Sequence, residues 1–403
     1  MQRKRIAILG GSSPFTAGLI NALRNTNFDD LALRLVLHGR NQANLDLIKR
    51  YARTHLASGT WEVDAINCMP KALEDAAIVV HQIRYDGLSG RAQGEQLCEE
   101  LGVAADETLG PAALLTGLRT MPDLHRTCAN LRDICPDATV LNLTNPLSAV
   151  TSAMHHFGVW NCVGLCELPL VTAAKACSLL GVDLMETNWT YSGLNHRGFI
   201  DTFRRGKEDL IPRLARMLSH ENNLGISASD IDELQAIPLK YFGLVRSPTI
   251  ATAGRATVLK RLRDQLCREL AQSPEASPPS LRRRYMDWYP RSVVPLIRAL
   301  LDSQPTRHIL NTRRDDDLVV ETFAQVAAMR IEPEFHAPAN PVVRHWNERF
   351  EAHEQAFVRA LLAPGHNSIR MTLKQDPMLS DFEILPAVTR LLEASSRGLQ
   401  HTH

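Results

Sequence analysis

Short apolar runs alternate with amphipathic stretches through the first 180 residues of this 403-residue chain. Residues 5–9 (RIAIL), 33–37 (LRLVL), 77–80 (AIVV), 138–141 (ATVL) and 162–165 (CVGL) are strand-like. Between them, residues 42–57 and 114–131 carry apolar positions at helical spacing. Strands alternating with helices predict a parallel sheet covered on both faces. With right-handed crossovers, residues 1–184 form a doubly wound α/β domain. Beyond about residue 185 the rhythm changes: 189–191 and 199–203 read as strands, and 209–218, 256–271 and 341–362 as helices. A second, α+β domain over 185–403 is therefore predicted, contributing substrate, catalytic and oligomer contacts. The loop 272–280 (QSPEASPPS) leads into Arg282-Arg283-Arg284, which either grips an anion or opens an exposed basic helix. The polar tail 395–403 stands out by composition, and there is no internal repeat.

The first strand runs straight into Gly10-Gly11-Ser12-Ser13-Pro14-Phe15-Thr16, followed by a helix with Leu19, Ile20 and Leu23 on one face. Small residues at such a turn let the backbone approach a pyrophosphate, which rests on the helix N-terminus. A tight turn alone explains the glycines equally well. Its place ahead of a complete alternating pattern favours a Rossmann-like site in which Gly10, Gly11, Ser12, Ser13, Phe15 and Thr16 contact a dinucleotide. Ser12 replaces the usual second glycine. The second strand ends Leu37-His38-Gly39-Arg40-Asn41, without the acid that normally bonds the adenosine ribose. Glycine followed by Arg40 leaves room for a 2′-phosphate, which tilts the expectation from NAD toward NADP. A surface arginine opening the next helix explains Arg40 almost as well.

Charge removes several partners from the picture. The 45 basic and 44 acidic residues leave a net +1, so nothing points to nucleic acid, an anionic membrane or a polyanion. A small charged substrate needs only a local site and stays open. The apolar run 6–9 is too short for a signal segment, and no stretch of about eighteen apolar residues suggests a membrane span. Eight scattered cysteines read as reduced thiols, hence a cytoplasmic location.

Three further segments carry candidate chemistry: Leu143-Thr144-Asn145-Pro146, Val163-Gly164-Leu165-Cys166-Glu167 and Tyr191-Ser192-Gly193-Leu194-Asn195-His196. The first two end strands of the parallel sheet, where open α/β sheets bind their ligands, so Asn145 and Cys166 face the nicotinamide crevice. By residue type alone Cys166 reads first as a small hydrophobe and His196 as a core or surface group.

Taken together, these motifs resemble the family 4 glycoside hydrolases, the NAD- and metal-dependent glycosidases. The matching pieces, in order, are GGSSPFT (10–16), the segment with Ile83, Arg84, Arg91 and Glu95, ADETLGP (105–111), LRT (118–120), LTNP, GLC (164–166) and GLNH (193–196). Pro238-Leu239-Lys240-Tyr241, Val319-Val320-Glu321, His353-Glu354 and Asp376-Pro377 extend the likeness more loosely. The resemblance implies that Cys166 and His196 bind a divalent metal, usually manganese. It makes Tyr241 the base for the sugar's C2 proton and places Arg91, Glu107 and Asn145 around the substrate. Glu167 and Asn195 flank the implied metal ligands and join that set. The implied route oxidises C3 with NAD or NADP, which acidifies the C2 proton. Elimination at C1, water addition and re-reduction follow.

This chain departs from the family pattern at specificity positions. Relatives acting on phosphorylated sugars carry Asn after the metal cysteine, and galactosidase and galacturonidase relatives carry His; Glu167 stands there, and a carboxylate repels a 6-phosphate. Ala236 occupies the place of the leaving-group aspartate of α-specific members. Besides hydrolysis of a sugar or glycoside, the same site could serve a sugar or polyol dehydrogenase, an epimerase or a lyase. A non-catalytic nucleotide sensor needs neither Cys166, His196 nor Tyr241. The family usually forms oligomers, which makes a homo-oligomer the expectation.

Overall fold

The computed structural model describes residues 3–57, 59–218, 223–248, 254–379 and 383–398. Six parallel strands form its centre: β1 (Lys4–Leu9), β2 (Leu33–His38), β3 (Trp61–Ile66), β4 (Ala76–His81), β5 (Thr139–Asn142) and β6 (Cys162–Gly164). Their order, β3-β2-β1-β4-β5-β6, is that of a dinucleotide-binding sheet, reversing direction between β1 and β4. Side chains alternate faces. Ile6 and Ile8 pack with the helices Thr16–Arg24 and Gln42–His55, while Ala7 and Leu9 pack with Gly110–Ile134 and Leu147–His156 on the other side. Each such fully buried Ile or Leu contributes roughly 1.5–3 kcal/mol.

Two more strands, β7 (Asn188–Leu194) and β8 (Arg197–Arg205), form a hairpin in a separate antiparallel sheet with β9 (Glu208–Asp209) and β10 (Ile237–Pro238). The expected helix over 209–218 is shorter, Ile211–Met217, because Asp209 pairs in β9. The helices Arg255–Gln272 and Pro341–Leu362 lie where the pattern predicts them. Three strands had no counterpart in the sequence reading: β11 (Thr306–Arg313), β12 (Val319–Ala327) and β13 (Arg330–Glu334). They continue the first sheet antiparallel, β11 meeting β6 at Asn311 and Gly164. The first sheet therefore does not stop at residue 184; the second half of the chain completes its edge.

β3 also escaped the pattern. Of its six residues only Val63 is buried, so an edge strand leaves no apolar run to read. The polar tail 395–403 falls largely outside the described residues. Among the described residues no helix is long and apolar enough to cross a membrane.

Candidate active site

A cavity of about 840 Å³ opens at the carboxyl ends of β1, β4, β5 and β6. Gly10, Ser12, Ser13, Phe15, Arg40, Glu107, Asn145, Cys166, Glu167, Asn195, His196 and Tyr241 all line it. Gly11 and Thr16 do not. Gly11 donates its N–H to the His38 carbonyl at 2.7 Å, and Thr16 accepts from the Gln82 amide at 3.1 Å, so both brace the turn from behind. Gly10 sits at φ +89°, and an added Cβ would stand 2.9 Å from the Gln82 carbonyl oxygen. The turn therefore presents bare backbone to the cavity, the cradle a pyrophosphate requires.

The opposite wall comes from five separated segments. Glu107 receives the guanidinium groups of Arg84 and Arg91, both at 2.5 Å. Burial pushes its carboxyl up, but the two arginines outweigh that and hold it down at about 2. Asn145, whose bond to Pro146 is cis, donates to Glu107 at 3.4 Å. Arg91 does not reach the cavity. It lies behind Glu107, one turn into the helix Gly87–Glu100, and shares itself between Glu95 and Glu107.

His196 occupies the two-residue turn between β7 and β8 at φ +64°, a conformation sparse for a side-chain-bearing residue. The Thr108 hydroxyl lies 2.7 Å from its Nδ1, while Nε2 has no hydrogen-bond partner among the described residues. Burial, with Lys240 and Arg197 nearby, pushes the ring down to about 3, so it is neutral, the form that ligates metal. Its ring stacks on Tyr241 with centroids 4.2 Å apart and planes 10° from parallel. Cys166 is buried at the end of β6, beside the Asn195 side chain. Burial, then Glu167 and Glu321, push its thiol well above the usual range.

One sulfur and one neutral imidazole make a soft donor pair suited to a divalent transition metal. No group of three or more His, Cys, Asp or Glu residues able to hold a metal occurs among the described residues, so Cys166 and His196 stand as a pair. The Tyr241 hydroxyl is pushed well up by burial, with Asp106, Cys166, Glu107 and Glu167 adding to it. Base work there needs neighbouring positive charge; Lys240 Nζ lies 5.1 Å from the ring centroid.

Several supporting residues were missed by the sequence reading. Asp106 accepts from the Thr108 and Leu109 N–H groups, setting the loop that aims Thr108 at His196. Glu321, buried on β12, accepts from Tyr191 at 2.6 Å, Asn311 at 2.8 Å and Asn195 at 3.3 Å, and so pins the turn that carries His196. Its motif was visible, but not its partners. Of the three-arginine run, Arg284 enters the cavity, its guanidinium 4.1 Å from the centre of the Phe15 ring, while Arg282 and Arg283 are exposed.

The family model described as Family 4 glycosyl hydrolase matches residues 5–182, and that of its C-terminal domain matches 191–379. The chain belongs to the family 4 glycosyl hydrolases. It is 26% identical to a probable 6-phospho-beta-glucosidase of Bacillus subtilis, across 97% of this chain and 96% of that protein. The 6-phospho-beta-glucosidase of Thermotoga maritima, solved with NAD and glucose-6-phosphate, superposes with a TM-score of 0.84 at 21% identity, covering 98% of each chain. A malate dehydrogenase of Plasmodium falciparum, solved with NADH, shares the fold more distantly, with a TM-score of 0.55 at 13% identity over 90% of this chain and 99% of that one. The expected α/β fold with a second domain, the family and the enzyme class are thus borne out.

Proposed function

We propose that the cavity holds NAD(P) along the Gly10–Phe15 turn and a manganese-class ion on Cys166 and His196, and that the enzyme hydrolyses an unphosphorylated glycoside. The observation that carries this reading is the His196–Tyr241 stack, which sets a proton acceptor beside a metal ligand on one wall. When bound, dinucleotide and ion supply reversible oxidation and polarisation at the sugar's C3, which acidifies the C2 proton. Tyr241 takes that proton. Asn145, Asn195 and Glu107 bond the sugar hydroxyls, and Arg91 acts through Glu107 by keeping it ionised. Ala236 is fully buried and offers no acid to the leaving group, so a good leaving group, such as an aryl group, is the preferred aglycone.

The absence of a phosphate on the sugar rests on Glu167, which lines the cavity where a like charge would be repelled. Arg284 supplies a cation that stacks on Phe15 beside the dinucleotide turn, and its charge is also felt by Glu107. Faster turnover of a 6-phosphoglycoside than of its unphosphorylated counterpart overturns this part. A cytoplasmic location and self-association are proposed with the same reading, the first supported by eight unpaired cysteines.

Turnover of an aryl glycoside in deuterated water tests the core of the proposal. Deuterium appears at C2 of the released sugar if Tyr241 removes that proton. Product without deuterium retires the route. Accumulation of reduced cofactor with a keto sugar identifies a dehydrogenase instead.

A further inference from the structure

The two departures in the dinucleotide turn, Ser12 and Gly39, are a single feature in three dimensions. A Cβ built on Gly39 would lie 2.4 Å from Ser12 Cβ, 2.2 Å from its Oγ and 3.0 Å from its backbone nitrogen. Rotating the hydroxyl away relieves one of these contacts and leaves the other two. With Ser12 in place, no carboxylate-bearing residue fits at the end of β2, where the ribose-binding acid of an NAD site belongs. The next residue, Arg40, is exposed and lines the cavity, with no ion pair among the described residues. Arg263, on the helix Arg255–Gln272, lines the same cavity. That helix reaches the β2 end of the cavity: Cys267 Sγ, one turn beyond Arg263, lies 3.9 Å from Asn44 Oδ1.

We infer that this end of the cavity is a phosphate-monoester site that takes the 2′-phosphate of NADP, held by Arg40 and Arg263. The inference rests on the dinucleotide reading above. Arg263 donates from Nε and Nη2 to Asp264 at 2.9 and 2.8 Å, but both side chains are exposed, and such a solvent-screened pair is weak enough for a phosphate to compete with it. Asp46 accepts from Gln42. Asp123 pairs with Arg126. Asp86, whose carboxylate oxygens have no hydrogen-bond partner, lies against Gly90 on the loop after β4, in the field of Arg84 and Arg119. The two arginines belong to different halves of the chain, so the site exists only in the folded protein.

Titration calorimetry of the whole protein with NADP+, NAD+ and 2′-AMP tests this. NADP+ binds at least tenfold more tightly than NAD+, and 2′-AMP more tightly than 5′-AMP. Arg40→Ala and Arg263→Ala each weaken NADP+ and 2′-AMP by about tenfold, the order expected for losing one charge-assisted hydrogen bond, and leave NAD+ within twofold. The pair Ser12→Gly with Gly39→Asp admits the acid together with the space it needs, and reverses the preference. Tighter NAD+ binding that neither arginine variant changes overturns the inference and leaves the dinucleotide reading intact. Failure of both dinucleotides to bind defeats the dinucleotide reading itself, and this inference with it.

Discussion

The two ends of the cavity are built on different principles. At the dinucleotide end, β1, its turn and the helix Thr16–Arg24 form one contiguous stretch that works through backbone and small side chains. At the chemical end, side chains from residues 84–91, 106–108, 145, 166–167, 195–197 and 240–241 converge, and most carry or could carry charge. Each group there depends on another. Arg84 and Arg91 keep Glu107 ionised, Thr108 orients His196, Glu321 pins Asn195, and His196 backs Tyr241. The pyrophosphate turn should therefore tolerate side-chain changes wherever a Cβ has room. The chemical end should lose function from single atoms.

Tyr241→Phe gives the largest separation between them. It keeps the stacked ring but removes the proton acceptor, so turnover should fall about 10²- to 10⁴-fold. Dinucleotide affinity should stay within twofold by calorimetry. Turnover within tenfold of the parent would mean the base lies elsewhere, and a matching loss of dinucleotide affinity would mean the two ends are not independent.

Thr108→Val removes the hydroxyl beside His196 Nδ1 at nearly constant volume. Manganese affinity, read by paramagnetic resonance of free ion, should fall about 10- to 100-fold, as when a partner that orients a metal ligand is lost. Cys166→Ser should abolish it more completely, because a hydroxyl replaces thiolate poorly as a ligand. An unchanged affinity in both variants would take the metal off these residues.

Glu107→Gln sharpens the contrast in stability. Arg84 and Arg91 would lose their shared carboxylate, at a cost on the order of 1–3 kcal/mol in urea unfolding. Ser13→Ala at the other end should change stability by less than about 0.5 kcal/mol. Equal effects would show that the two ends do not differ in this way.

The last effect concerns pH. His81 is fully buried at the β4 end, with Nδ1 2.9 Å from the Asn142 side-chain Oδ1 and Nε2 2.8 Å from the Tyr85 hydroxyl. Burial pushes its ring down to about 4. The folded value lies below the unfolded one, so between about pH 6.5 and 4 the unfolded chain binds a proton that the folded chain refuses. That part of the stability is present at pH 7 and lost on acidification. Asp106 and Asp376, both pushed up to about 6 by burial, shift stability the opposite way over the same range. Comparing the parent with His81→Gln isolates the histidine: the parent should lose more unfolding free energy from pH 7 to 4.5. A parallel decline in both proteins would show that His81 takes up its proton without unfolding.

Much of this molecule is decided locally, and that much is readable along the chain. β1, β2, β4, β5 and β6 are buried on both faces over most of their length, so their central residues are apolar; the turn after β1 must be small because Gln82 and His38 crowd it. The motifs around Cys166, His196 and Tyr241 are each contiguous, so the family resemblance could be seen before any packing was known. Contacts between distant segments left no such trace. β3 has one buried residue, and β11 to β13 join β6 across more than 140 positions of intervening chain. Arg84 and Arg91 look alike in sequence, yet one lines the cavity and the other stands behind Glu107. Arg284 turns inward while its two neighbours face solvent. The exclusion of a side chain at Gly39 by Ser12 spans 27 positions and is invisible until β1 and β2 pair. Periodicity and turn chemistry act over a few residues and determine which elements form. Which side chains then share a cavity depends on how those elements pack, and only the tertiary structure sets that.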